Sequence, residues 1–100
     1  MIRLSDDDMA LVKKILRSNV PQEFRVMAFG SRVTGERLKP HSDLDLCVKG
    51  DRALTSHELV GLRDAFADSD LPMRVDVIDW ADTAPNFQAI IEKQLEEVVF

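Results

Sequence analysis

The stretch Gly30-Ser31-Arg32-Val33-Thr34-Gly35-Glu36-Arg37-Leu38-Lys39-Pro40-His41-Ser42-Asp43-Leu44-Asp45-Leu46-Cys47-Val48 decides how this chain folds. It joins a small, flexible turn to two aspartates set in a row of apolar residues. Side chains along a strand alternate between faces, so Asp43 and Asp45 share one face while Leu44, Leu46 and Val48 point the other way, into a core. Asp is a poor strand former, and two carboxylates on one face repel each other, so the arrangement costs stability unless a positive group sits between them. A divalent cation is the natural occupant: Mg²⁺ takes one or two protein carboxylates and completes its shell with water and phosphate oxygens. The pattern points to phosphoryl or nucleotidyl transfer.

The elements around this stretch follow from periodicity. Phe24 to Phe29 is short, apolar and bounded by Pro21 and Gly30, which predicts a buried strand; Asp43 to about Lys49 is the second, closed by the Gly50-Asp51 turn. Met73 to Trp80 alternates, with Val75 and Val77 on one face and Asp76, a third carboxylate, on the other. Ser5 caps a helix whose stripe is Leu11, Val12, Ile15 and Leu16 and which runs to about Asn19. The run Asp6 to Asp8 suits the positive end of that helix and needs no metal. A second helix, capped by Thr55 or Ser56, runs to about Asp68 with Leu59, Leu62, Ala65 and Phe66 on one face. Pro85 opens a third from about Asn86 to Val98, whose stripe of Phe87, Ile90, Ile91, Gln94, Leu95 and Val98 has one polar member. With a short helix after Gly30-Ser31, the expectation is an α/β (α+β) fold: a small mixed sheet packed with about three to four helices, in a single domain over residues 1–100.

At 100 residues, 45% of them hydrophobic, the chain can build one core but no separate substrate domain. A net charge of −5 disfavours direct nucleic-acid binding, which rests on Lys and Arg neutralising phosphates. The start lacks a signal-type apolar segment and no run is long enough to span a bilayer, so a cytoplasmic protein without membrane attachment is expected. The lone Cys47 allows neither an internal disulfide nor a cysteine zinc site, and reads as a small buried hydrophobe.

The Gly30-Ser31 turn leaves a strand and enters a short helix, so its backbone N–H groups and the Ser31 hydroxyl can point at an anion. Alone that is a common strand ending, and neither a Walker-type nor a dinucleotide-type glycine pattern is present. The ordered set carries more: an anion-ready turn, a loop with Arg32, Arg37 and Lys39, Asp-x-Asp on one strand, and a lone Asp in a later one. This set resembles the DNA polymerase β-type nucleotidyltransferase superfamily. It is most similar to the minimal nucleotidyltransferase branch, the antitoxin halves of HEPN/minimal-nucleotidyltransferase pairs. The likeness covers nearly the whole chain, and the Gly-Ser plus Ser-Asp-x-Asp part is highly specific; the Arg32-to-Ser42 spacer is one residue longer than usual. The resemblance implies that Gly30 and Ser31 hold the triphosphate of ATP, that Asp43 and Asp45 bind two Mg²⁺ ions, and that Asp76 binds the ion nearer the attacking hydroxyl and acts as its base. Arg32, adjacent to Ser31, is expected to touch phosphate. Asp79, the rival third carboxylate, lies off the Asp76 face near a strand end, where turn and cap roles dominate. His41 lies in the spacer loop within reach of phosphate but reads as solvated, and His57 as surface.

The resemblance further implies a Mg²⁺-dependent antitoxin of a type VII-like pair that transfers AMP from ATP to a tyrosine of a HEPN ribonuclease toxin. The chain has no tyrosine, so any tyrosine modification occurs in trans. Apolar residues at Val98-Val99-Phe100 either finish the core or meet a partner, and Trp80 is a candidate interface or nucleotide-edge residue. Two other functions stay open: a non-catalytic antitoxin that occludes its toxin, and a small-molecule, antibiotic-type nucleotidyltransferase. Three costly carboxylates argue against the first, and the missing acceptor domain against the second.

Overall fold

A computed structural model describes Met1–Phe100. In chain order the elements are α1 (Asp6–Asn19), β1 (Arg25–Phe29), α2 (Ser31–Thr34), β2 (Leu44–Lys49), α3 (Ser56–Ala67), β3 (Val75–Asp79), a 3₁₀ turn (Trp80–Asp82), α4 (Pro85–Ile91) and β4 (Glu96–Val98). The strands form one mixed sheet in the order β3-β2-β1-β4. The β1–β2 and β1–β4 pairs are antiparallel, whereas β2 and β3 are parallel and joined through α3.

Local chemistry explains the helix ends. The Ser5 hydroxyl accepts the Asp8 N–H at 3.1 Å, and Asp6, Asp7 and Asp8 occupy the first turn of α1. A reciprocal capping box starts α3: the Thr55 hydroxyl accepts the Glu58 N–H at 3.1 Å while the Glu58 carboxylate accepts the Thr55 N–H at 2.8 Å. Pro85 stands in the first turn of α4, where its missing N–H costs nothing.

The alternation predicted for the strands is observed. Val26 and Ala28 of β1, Leu44, Leu46 and Val48 of β2, and Val77 of β3 are buried with Val12 and Leu16 of α1 and Leu62 and Phe66 of α3 in the main core. The opposite face carries a smaller cluster of Phe29, Cys47 and Ile91, with Met27, Ile78, Trp80 and Leu95 packed against it. α4 joins this second cluster through Ile91, and Phe87 meets Phe29 edge-on at 6.3 Å between ring centroids. No helix is long and apolar enough to cross a membrane.

The C-terminal helix is shorter than its stripe predicts. α4 stops at Ile91, and Glu96–Val98 instead lies along β1, with Val26 opposite Val98 and Ala28 opposite Glu96. Without that strand, β1 would end the sheet with unpaired N–H and C=O groups. Arg25 Nε also donates to Glu97 at 3.1 Å, and the N-terminal ammonium pairs with Glu96 at 2.6 Å. The β-branched Val98 favours strand, and pairing the open edge of β1 outweighs the about two further helical turns that a stripe running to Val98 implies.

Candidate active site

The site lies on the outer sheet face, where β1 gives way to α2. Gly30 adopts φ 79° and ψ −160°, a conformation open essentially to glycine alone. Its carbonyl accepts the N–H groups of Val33 at 3.0 Å and Thr34 at 2.9 Å, which starts α2 one residue after the strand ends. Gly35, at φ 77°, ends that single turn. A side chain at Gly30 would overlap the Asp45 carboxylate, its Cβ lying 3.3 Å from Asp45 Cγ, so the turn and the Asp-x-Asp strand are in direct apposition.

Strand pairing gathers the carboxylates. Asp45 stands opposite Phe29 across the antiparallel pair and opposite Asp76 across the parallel one, so Asp45 and Asp76 are neighbours on the same face. Asp43 lies one residue ahead of β2, where the Leu44 N–H is held by the Arg74 carbonyl at 2.9 Å. Burial, then the negative charges of Asp76 and Asp43, push the Asp45 carboxyl up to about 6. Three acids therefore concentrate negative charge at one point.

That donor set fits a hard divalent cation: it offers carboxylate oxygens, with neither imidazole nor thiolate among them. The fit is one of charge and ligand type. No trio of acidic, histidine or cysteine side chains stands in finished coordination geometry, and Asp76 Oδ1 is turned to Arg74 Nε at 3.2 Å. Cys47 follows Asp45 on the same face but is fully buried, and burial pushes its thiol up to about 11. It packs with Phe29 and Ile91 and takes no part in ligation.

Other sequence candidates separate here. Asp79 is buried and accepts the N–H groups of Leu54 at 2.7 Å and Ala81 at 3.2 Å; it ties the β2–α3 loop to the end of β3. Arg32 corrects the expected phosphate contact. It is only 7% exposed, and its guanidinium donates to the carbonyls of Ser42 at 2.8 Å, Arg3 at 2.8 Å and Pro40 at 3.3 Å. A planar fork of donors suits convergent carbonyls, so Arg32 staples the spacer loop rather than facing a ligand. His41 and His57 are exposed. Trp80 lies beneath Lys49, whose Nζ is 4.7 Å from the ring centroid, and is half-buried against the outer cluster. Val98 is buried within the sheet, while Val99 is 71% exposed.

One site residue carried no functional signal in the sequence. Gln94, the polar member of the C-terminal stripe, accepts the Gly30 N–H through Oε1 at 2.9 Å and braces the turn from the α4–β4 connection. A lone amide at a stripe position that otherwise takes apolar residues was its only mark.

The polymerase β nucleotidyltransferase family model matches residues 5–99. Over 90 residues the chain is 44% identical to a Haemophilus influenzae protein described as a probable protein adenylyltransferase MntA, an alignment covering 90% of this chain and 77% of that one. The fold is similar to that of a toxin–antitoxin crystal structure with AMP-PNP, at a TM-score of 0.73 and 24% identity over 91% of this chain and 72% of the other. It is also similar to the complex of a tri-AMPylated Shewanella oneidensis HEPN toxin with its MNT antitoxin, at a TM-score of 0.70 and 21% identity over 96% and 72% of the two chains. With the Gly30 turn set against Asp45, and Asp45 beside Asp76 on one sheet face, these matches lead to one conclusion: the chain belongs to the polymerase β-type nucleotidyltransferase family.

Proposed function

We propose that this chain is a Mg²⁺-dependent protein adenylyltransferase that acts as an antitoxin, moving AMP from ATP to a tyrosine hydroxyl of a HEPN ribonuclease partner. The observation that carries the reading is the register of Asp45 against Asp76 beside the Gly30 turn, which concentrates negative charge where a triphosphate would meet its metal. The Haemophilus influenzae relative described as an adenylyltransferase, and the AMPylated toxin in the Shewanella oneidensis complex, supply the acceptor class. In this reading residues 1–100 work as one domain in the cytoplasm, and the partner presents the acceptor.

The residues divide the work. Gly30 and Ser31 hold the triphosphate at the start of α2. Asp43 and Asp45 would hold two Mg²⁺ ions, and Asp76, now paired with Arg74, would supply the third carboxylate. When bound, the ions neutralise phosphate charge and lower the pKa of the attacking hydroxyl. The phenolic oxygen forms a bond to the α-phosphorus as the bond to pyrophosphate breaks, and Asp76 takes the phenolic proton. AMP on the toxin adds bulk and negative charge that would repel RNA phosphates.

The test mixes the chain with its HEPN partner, Mg²⁺ and ATP and follows mass gain on the partner. One or more AMP increments on tyrosine, abolished by Asp43→Ala with Asp45→Ala, are expected. Protection of cells by that double mutant as good as wild type, with no AMP found in either case, would establish occlusion in place of catalysis.

A further inference from the structure

A cavity of about 800 Å³ runs from Asp45 and Asp76 over the free side of β3. β3 is the terminal strand of the sheet, and backbone groups along a strand point alternately to either side. Asp76 and Ile78 direct theirs toward β2; Val75 and Val77 direct theirs outward. Arg63 of α3 marks that outward direction, because its Nε and terminal amine donate to the Val77 carbonyl at 3.2 and 2.8 Å. The N–H and C=O of Val75 and the N–H of Val77 remain as open hydrogen-bonding groups on the stretch of edge beside Asp76. Phe66, Leu71 and Met73 wall the cavity on one side, Phe29 and Phe87 on the other.

We propose that this edge receives the acceptor polypeptide: an extended segment of the partner adds to β3 as a further strand, bonded at Val75, with its tyrosine one residue from the position that bonds Val75. The inference rests on the adenylyltransferase reading and adds how the acceptor is held. Unpaired groups in strand spacing are complemented by another backbone, and apolar walls on both faces of the edge suit the alternating side chains of an extended chain. Sheet edges left open are normally charged or covered, and here Arg63 covers only the Val77 oxygen. Register then selects the acceptor. The residue exchanging both bonds with Val75 turns its side chain to the main-core face, so the next one lies across from Asp76 on the site face, with Cβ atoms about 4.5–5.5 Å apart. A phenol at that position reaches over Asp76 toward Asp45.

Amide hydrogen exchange on the whole chain tests this, with and without the HEPN partner in the presence of Mg²⁺ and a non-hydrolysable ATP analogue. The Val75 and Val77 amides should exchange freely in the chain alone and slow by about tenfold or more in the complex, the scale of a hydrogen bond gained. Val75→Pro, which removes one edge donor where sheet edges tolerate proline, should raise the KM for the partner about tenfold with Mg²⁺-dependent ATP affinity unchanged. AMP transfer with the Val75 and Val77 amides still exchanging freely would overturn the proposal, whatever the fate of the proline variant. Protection that grows with the chain's own concentration and needs no partner would assign the edge to a second copy of this chain instead. Absence of transfer by the wild type, with ATP binding intact, would remove the adenylyltransferase reading and this inference with it.

Discussion

Replacing Gly30 with alanine tests the apposition on which the site depends. The φ of 79° and ψ of −160° place Gly30 in a region that costs a residue with a side chain about 1–3 kcal/mol. The new methyl would also overlap the Asp45 carboxylate, forcing it to rotate away from Gly30 or the turn to open. A loss of about 2 kcal/mol in a domain of this size lowers the melting temperature by roughly 8–16 °C. Gly61 supplies the internal control. It lies exposed within α3, nothing stands within 4 Å of a Cβ built there, and its mutation to alanine should stabilise the helix by up to about 1 kcal/mol. Thermal melts of the two variants should therefore move in opposite directions. Calorimetry should show ATP affinity in Mg²⁺ lost in Gly30→Ala at temperatures where it is still folded, because the displaced Asp45 no longer faces Asp76. A Gly30→Ala protein that melts with the wild type and binds ATP normally would refute both the strain and the apposition.

Further outcomes follow from individual side chains. Asp45 is pushed up from 3.8 to about 6, so the folded state favours its protonated form; that stabilising contribution is present at low pH and is lost as pH rises through about 6. In chelator, melting of the wild type should fall between pH 4 and 7 more steeply than that of Asp45→Asn, and equal slopes would contradict the clustered charge. Ser31→Ala should weaken Mg²⁺–ATP binding by about 1 kcal/mol, one hydrogen bond, with an unchanged melt. Arg32→Ala removes three bonds to carbonyls and should cost about 3 kcal/mol of stability, and Arg32→Lys should not restore it because an ammonium cannot span them. A normal melt with reduced ATP affinity in Arg32→Ala would return that residue to the phosphate.

Much of the fold was legible because its signals are local. Caps at Ser5 and Thr55, alternation along Leu44–Val48, and Pro85 at a helix start each act over a few residues, and each stands where the sequence puts it. Asp45 and Asp76 share a face because strand alternation sets each one and the parallel register aligns them. What escaped is non-local. The end of α4 depends on β1 needing a partner strand, and no window around Leu95 contains that information. Arg32 looked like a ligand from its neighbour Ser31, but its function is set by carbonyls of Arg3, Pro40 and Ser42 that only folding brings together. Gln94 was hidden for the same reason, its partner Gly30 lying 64 residues away.

The guanidinium of Arg32 also separates the contour length of the spacer loop from the distance the loop spans. Ser42 and Pro40 are moored to α2, so the reach from the Gly30-Ser31 turn to Asp43 is set by one buried, hydrogen-bonded side chain and not by how many residues lie between. The slack falls at Glu36 and Arg37, both exposed, with Arg37 at φ 56° where the chain doubles back. An extra residue there would lengthen an outward excursion without shifting a carboxylate. The same slack makes the Glu36–Arg37 bond a graft point: a peptide tag or fluorophore-bearing insertion spliced there should report on the loop while Mg²⁺-dependent ATP affinity stays that of the parent.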